Sequence, residues 1–325
     1  MKNSRRHFIR SSAITALGIP MLLSSCKQNN VLLSEDTSVR STVKNKAAEE
    51  WFKISLAQWS FHKMLFAKEL DHLDFAAKAR SLDIGGVEYV NAFFKDKAED
   101  TAYLDEMNQR AADHDVKQLL IMIDREGGLG SVDNAERKKA VNNHHKWVRT
   151  AKYLGCHSIR VNAHGEGSSN DVSMAAIDGL SRLSEYAAQD NINIIVENHG
   201  SYSSNGSWLA NVMKKVNMDN CGTLPDFGNF CITRKKGSWD CLESYDKYKG
   251  VREMMPYAKA VSAKTNVFDE NGNEAVIDYS QMLSIVKEHG YNGYVGIEYE
   301  GQDLSELEGI IATRDLLRKV RKELS

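Results

Sequence analysis

The chain has 325 residues, 42% of them apolar, with 42 basic and 44 acidic side chains and a formal charge of −2. This content can supply a full core for one large domain, and only three prolines interrupt it. No basic block stands in the sequence, which argues against nucleic acid as a partner, because phosphate binding needs clustered Lys and Arg.

The first element is an export signal. Arg5-Arg6, followed by Phe8 and Arg10, reads as a twin-arginine motif. An apolar run from Ala13 to Leu23 follows, too short to span a bilayer comfortably. Leu23-Ser24-Ser25-Cys26 then resembles a lipoprotein cleavage box. Residues 1–25 are therefore expected to be a signal peptide, with Cys26 lipidated and the chain attached to the periplasmic or outer cell envelope by that lipid alone. Removing Lys2, Arg5, Arg6 and Arg10 with no acidic residue makes the mature chain more acidic. Residues 26–50 are polar and aperiodic and read as a flexible tether.

From residue 51 to 325 strand-like and helical patterns alternate. Strand-like runs begin near Ile54, Gly86, Val116, Ser158, Ile192, Cys221, Ala258 and Gly293. Helical spacing covers Asp71–Leu82, Ala135–Leu154, Val172–Gln189 and Tyr279–His289. Ser305 with Glu308 is a capping-box pattern opening a last helix toward Leu324. Repeats of strand then helix predict right-handed βαβ units, and eight of them predict an α/β fold closed as a (β/α)8 TIM barrel. An open doubly wound sheet is the alternative, weakened because no glycine-rich phosphate fingerprint follows the first strand. Arg125 to Gly130, rich in glycine, is expected to form a mobile lid after the third strand.

Glu88, Glu197, Asp226 and Glu298 each close an apolar run. A carboxylate at the end of a buried strand is costly unless paired or bound to a cation. In a barrel the strand C-termini form the active face. The polar groups due there include His62, Glu88, Asp124, His164, Glu197, His199, Asp226, Asn229, Lys264 and Glu298. Folding does not need such a density of them.

At these residues the chain resembles the sugar phosphate isomerase/epimerase superfamily, the xylose isomerase-like barrels that also include endonuclease IV. The resemblance runs from about Ile54 to the end. It implies one divalent ion, manganese above all with magnesium or cobalt as alternatives, held by Glu197, Asp226 and Glu298. It also implies that two glutamates act as acid and base. The family's strand-seven ligand is a His two residues before a Lys, where this chain has Ser262 and Lys264. Its strand-six Asp is commonly followed three residues later by a His, where this chain has Asn229. The stretches around Glu197 and Asp226 look like an exported branch of the family.

The resulting expectation is a metal-dependent carbohydrate isomerase or epimerase that removes a proton next to a carbonyl. Glu197, Glu298 and Lys264 carry the chemistry; His62, Glu88, His164, His199 and Asn229 contact the sugar. Lys264 either stabilises an enolate oxygen or pairs with Asp226 or Glu298. Glu88 either binds sugar hydroxyls or pairs with Arg160. His199 is a ligand, a substrate contact or a plain loop histidine. A 3-keto-glycoside lyase or hydratase would share the first step, and a non-catalytic sugar-binding lipoprotein is the rival from another class. Phosphodiester cleavage is disfavoured by the charge and by the lack of further histidines.

Cysteine says less. Cys156, Cys221, Cys231 and Cys241 remain after Cys26, with no CxxC pair. An exporting compartment permits disulfides in three pairings. Cys156 and Cys221 flank predicted strands, where buried free thiols are equally expected.

Overall fold

The computed structural model describes residues 50–325. The signal peptide, Cys26 and the tether lie outside the described residues. Eight parallel strands form the inner sheet: β1 Lys53–Ala57, β2 Gly86–Val90, β3 Lys117–Met122, β4 Ser158–Val161, β5 Asn193–Glu197, β6 Cys221–Leu224, β7 Val261–Thr265 and β8 Tyr294–Tyr299. Seven neighbouring pairs run in continuous ladders from β6 back to β1 and on through β8 to β7. The ring closes between β6 and β7 through bridges at Thr223 with Ala258 and Asp226 with Ser262. Ser262 N–H donates to the Pro225 carbonyl at 2.9 Å, and Phe227 N–H donates to the Ser262 carbonyl at 3.1 Å. The fold is a (β/α)8 barrel.

Helices lie where the spacing predicts them, at Asn134–Tyr153, Ser169–Ala188, Tyr279–Glu288 and Glu306–Glu323. Their starts are fixed by short polar caps. Asp133, Ser168 and Asp278 each accept a backbone N–H of the first turn, which leaves fewer orphan donors. Ser305 and Glu308 form the full capping box. The predicted 71–82 helix is split into a 3-10 turn, His72–Asp74, and a helix, Phe75–Ser81.

Two apolar layers follow from strand alternation. The outward faces pack against the helices in a core that includes Phe52, Phe75, Trp147 and Leu180, all fully buried. The inward faces contribute Ala57, Val90, Leu120, Met122, Ile195, Leu224 and Ala260 to a separate cluster inside the ring. Glu197, Asp226, Lys264 and Glu298 sit above this inner cluster, toward the strand C-termini.

Two segments depart from the expected pattern. After β6 an antiparallel hairpin, Cys231–Arg234 with Cys241–Ser244, is inserted and clasped by a Cys231–Cys241 disulfide. Cys156 and Cys221 are buried free thiols. The Arg125–Gly130 segment is packed down and is no lid: Glu126 is buried and accepts from Trp147 Nε1 at 2.9 Å, Leu129 is fully buried, and Gly130 N–H donates to the His164 carbonyl at 2.9 Å. Its glycines serve close approach instead, since a Cβ on Gly128 would meet that same carbonyl oxygen at 2.7 Å.

Candidate functional site

Three carboxylates meet inside the upper barrel. Glu197 ends β5, Asp226 lies two residues beyond β6, and Glu298 lies in β8. All are buried, and one oxygen from each lies within 4.8 Å of the other two. Odd and even positions of a strand face opposite ways, so each is inward because its apolar neighbours, such as Val196 and Ile297, point to the helices.

The backbone around Asp226 is tied to β5 by Asn198. Its Oδ1 accepts from Asp226 N–H at 2.7 Å, and its Nδ2 donates to the carbonyls of Asp226 and Asn229 at 3.0 and 3.1 Å. Asp226 Oδ1 then accepts the N–H groups of Gly228 and Asn229, both at 2.9 Å. Asn229 Nδ2 donates to Glu197 Oε1 at 3.0 Å. Asn198 after β5, with Gly228 and Asn229 after β6, thus fixes two of the carboxylates.

Two buried cations face the cluster. Lys264 Nζ lies 2.6 Å from Glu298 Oε1, 3.2 Å from Glu300 Oε1 and 3.9 Å from Asp226 Oδ2. Burial works against its charge, but these carboxylates outweigh burial and its pKa rises well above the ordinary lysine value. Arg160 Nη1 donates to Asp124 Oδ1 at 2.8 Å, and its Nε lies 2.9 Å from Glu197 Oε2. The second contact is an ion pair without hydrogen-bond alignment, so Glu197 Oε2 has no donor. Ser262 Oγ donates to Asp226 Oδ2 at 2.7 Å and lies 3.3 Å from Glu298 Oε2.

The carboxylates respond differently to this setting. Burial raises Glu298, yet Lys264 and then Arg160 overcome it, and its pKa falls below the usual range. Burial also raises Glu197 and Asp226; the nearest cations only partly oppose it, and the neighbouring carboxylates add to the rise. When all three carboxylates are ionised, as metal binding would require, Lys264 and Arg160 do not cancel their charge, since each cation is also shared with an outer acid, Glu300 or Asp124. Converging oxygen donors, excess negative charge and an orphan oxygen on Glu197 suit a hard divalent cation. Glu197, Asp226 and Glu298 are the residues that could hold it, with Ser262 contributing a neutral oxygen beside them.

The remaining candidate residues divide. Asn229 joins the cluster directly. His164 and His199 are exposed and line one small groove at the mouth, together with Asn162. His62 stands on the β1 loop, its ring stacked on Trp59 at 4.8 Å, its Nδ1 2.8 Å from the Trp59 carbonyl oxygen. Its nearest acidic partner is Glu306, at 3.5 Å, so it borders the mouth without touching the carboxylates. Glu88 is not at the mouth. It is the third residue of five in β2 and lies one inward layer lower, where its Oε1 accepts from Ser55 Oγ at 2.6 Å. It does not pair with Arg160, whose partners are Asp124 and Glu197. Arg160 is the member that strand spacing could have revealed, because it precedes inward Asn162 by two.

A family model described as xylose isomerase-like TIM barrel matches residues 76–320, and the chain belongs to that family. No curated protein sequence matches it. Among solved structures it is similar to a sugar phosphate isomerase/epimerase from Parabacteroides distasonis, at 13% identity and a TM-score of 0.62, covering 84% of this chain and 95% of that one. A xylose isomerase-like TIM barrel protein from Mycobacterium smegmatis in complex with magnesium is 17% identical, with a TM-score of 0.61 and coverage of 84% and 98%. A 3-keto-D-glucoside 4-epimerase from E. coli is 12% identical, with a TM-score of 0.59 and coverage of 82% and 99%.

Arg160→Met should destabilise the fold by roughly 3–5 kcal/mol, because Glu197 would stay buried without its cation and the half-buried Asp124 would lose its partner. Urea unfolding at neutral pH measures it. A loss well under about 1 kcal/mol would mean that Arg160 does not hold this cluster together.

Proposed function

We propose that this member of the xylose isomerase-like TIM barrel family is an exported carbohydrate enzyme that moves a proton on the carbon next to a carbonyl. The observation that carries the proposal is the meeting of Glu197, Asp226 and Glu298 with Lys264 inside the barrel mouth. Two carboxyl groups with pKa values pushed apart are the arrangement a proton transfer needs, one to accept and one to give.

The residues divide the work by their partners. Glu298, kept ionised by Lys264 at 2.6 Å, is the base that takes the proton. Glu197, raised by burial, carries the proton that is returned to the opposite position or to a leaving oxygen. Lys264 also places a positive charge where the enolate oxygen forms. Asn229 orients Glu197. His62, His164 and His199 stand around the entrance and are assigned to the sugar hydroxyls. A divalent ion, manganese or magnesium, held by Glu197, Asp226 and Glu298 would supply Lewis-acid polarisation of the substrate oxygens.

An exported location favours a free sugar or a keto-glycoside over a sugar phosphate. The similarity to the E. coli 3-keto-D-glucoside 4-epimerase supports the keto-sugar choice. Elimination from a 3-keto-glycoside begins with the same proton removal and is the second reading, favoured by Glu197 as a proton donor to a leaving oxygen. For export, the support is the ordered signal in residues 1–25, and the Cys231–Cys241 disulfide suits an oxidising compartment.

Wild-type protein incubated with a 3-keto-glucoside and manganese in deuterium oxide should incorporate deuterium next to the carbonyl, read by mass spectrometry. Glu298→Gln should slow that exchange by roughly 10²–10⁴ while binding persists, since an amide cannot accept the proton. Exchange at the wild-type rate in Glu298→Gln would remove Glu298 as the base. For localisation, Cys26→Ser should release the exported chain from the membrane fraction; continued membrane attachment would refute the lipid anchor.

A further inference from the structure

The end of the barrel opposite the carboxylate cluster contains a cavity of about 610 Å³. It opens among the strand starts, beside Lys117, His157, Lys259 and Tyr294, and Glu88 forms part of its lining. That volume falls within the ~300–1,000 Å³ typical of small-molecule sites. We propose that this cavity is a second binding site, in which the Glu88 carboxyl and the rim side chains Lys117, Lys259 and His157 take a small hydroxylated carboxylate of the sugar-acid class.

Glu88 is the reason. It is 1% exposed, Ser55 engages only its Oε1, and its Oε2 is buried with no hydrogen-bond partner. Leaving a buried polar atom unpaired costs about 1–3 kcal/mol. The inner cluster beside it is apolar, with Leu120, Ile195 and Leu224 as members, so packing alone would favour a hydrophobic residue here. The barrel instead makes room for the carboxyl. Position 296 on the facing strand is glycine, and a Cβ there would come within 2.5 Å of Glu88 Oε1. Neither feature serves the mouth, whose cations pair with other acids.

The lining selects the ligand. Lys117 and Lys259 offer only donors and positive charge. Burial, the largest influence, pushes Glu88 up to about 8, so at neutral pH it also carries a proton and can donate. His157, whose Nδ1 is engaged by Ser158 Oγ at 2.6 Å, keeps one ring nitrogen for a ligand. A cavity lined by donors at its rim and by a neutral acid within matches a molecule with an anionic group at one end and hydroxyls at the other. A carboxylate meets the lysines, and a hydroxyl, both acceptor and donor, meets Glu88.

Isothermal titration calorimetry of the folded chain with D-gluconate at pH 7 and fixed ionic strength tests the assignment. Gluconate should bind at one site, and D-glucose at least ~10-fold more weakly. Replacing Lys117 and Lys259 together by Ala should weaken gluconate by ~10-fold or more; both are rim residues whose loss leaves the core intact. Glu88→Leu should do the same, whereas Glu88→Gln should keep most of the affinity, because its amide still donates. Glu298→Gln, at the other end of the barrel, should leave it unchanged. Absence of saturable gluconate binding, or binding indifferent to the lysine pair, would overturn the proposal. Loss of binding in Glu298→Gln would move the ligand to the mouth and overturn it equally. Inorganic phosphate binding as tightly as gluconate would rule out the sugar-acid class.

Discussion

Three carboxylates are confined where water cannot solvate them, and the upper half of the barrel is arranged around that burden. Burying one ionised carboxylate is expensive; burying three whose oxygens lie within 4.8 Å of one another requires positive charge nearby. Lys264 on β7 and Arg160 on β4 supply two units of it from different sides. Each is also claimed by an outer acid, Glu300 for Lys264 and Asp124 for Arg160. The cluster is left short of positive charge, which is the physical basis for assigning it a divalent ion. The same shortage separates the carboxyl groups, because Glu298 has an ammonium in hydrogen-bond contact and Glu197 only a misaligned guanidinium.

The inner apolar cluster divides the barrel into two ends with different chemistry. Leu224 and Ile195 lie below the carboxylates, and their neighbours on the same strands, Asp226 and Glu197, lie above. Alternation makes this possible with single substitutions two residues apart. It also explains why Glu88, two residues short of the end of β2, belongs to the lower compartment although it reads like a mouth residue.

Much of the fold was legible because a parallel barrel writes both periodicities into its sequence. The apolar runs at Gly86, Ser158 and Cys221 became strands beginning at those residues, and Ser305 with Glu308 capped the last helix as read. Glu197, Asp226 and Glu298 converge because each follows its apolar run in the same phase. Three features were not legible. The hairpin after β6 consists of strands of four residues with no apolar alternation. The depth of Glu88 depends on where β2 stops, and a run of five residues does not fix that. The glycines at 127, 128 and 130 suggested freedom, yet they permit close packing, Gly127 against Ala140 of the following helix and Gly128 and Gly130 against the His164 carbonyl of the next strand loop, contacts that no local pattern carries. Ser262 was legible as a position and not as a contact; only register with β6 and β8 puts its hydroxyl between Asp226 and Glu298.

The central claim is that this charge-short cluster holds a divalent ion, and metal analysis tests it most directly. Protein dialysed against manganese and then metal-free buffer should retain one ion per chain by inductively coupled plasma mass spectrometry. Asp226→Asn should lose it. Ser262→His, which adds an imidazole beside two of the carboxylates, should hold it more tightly. A wild-type chain that retains no manganese or magnesium, or a content indifferent to both substitutions, would contradict the claim and leave Lys264 and Arg160 as the only cations of the site.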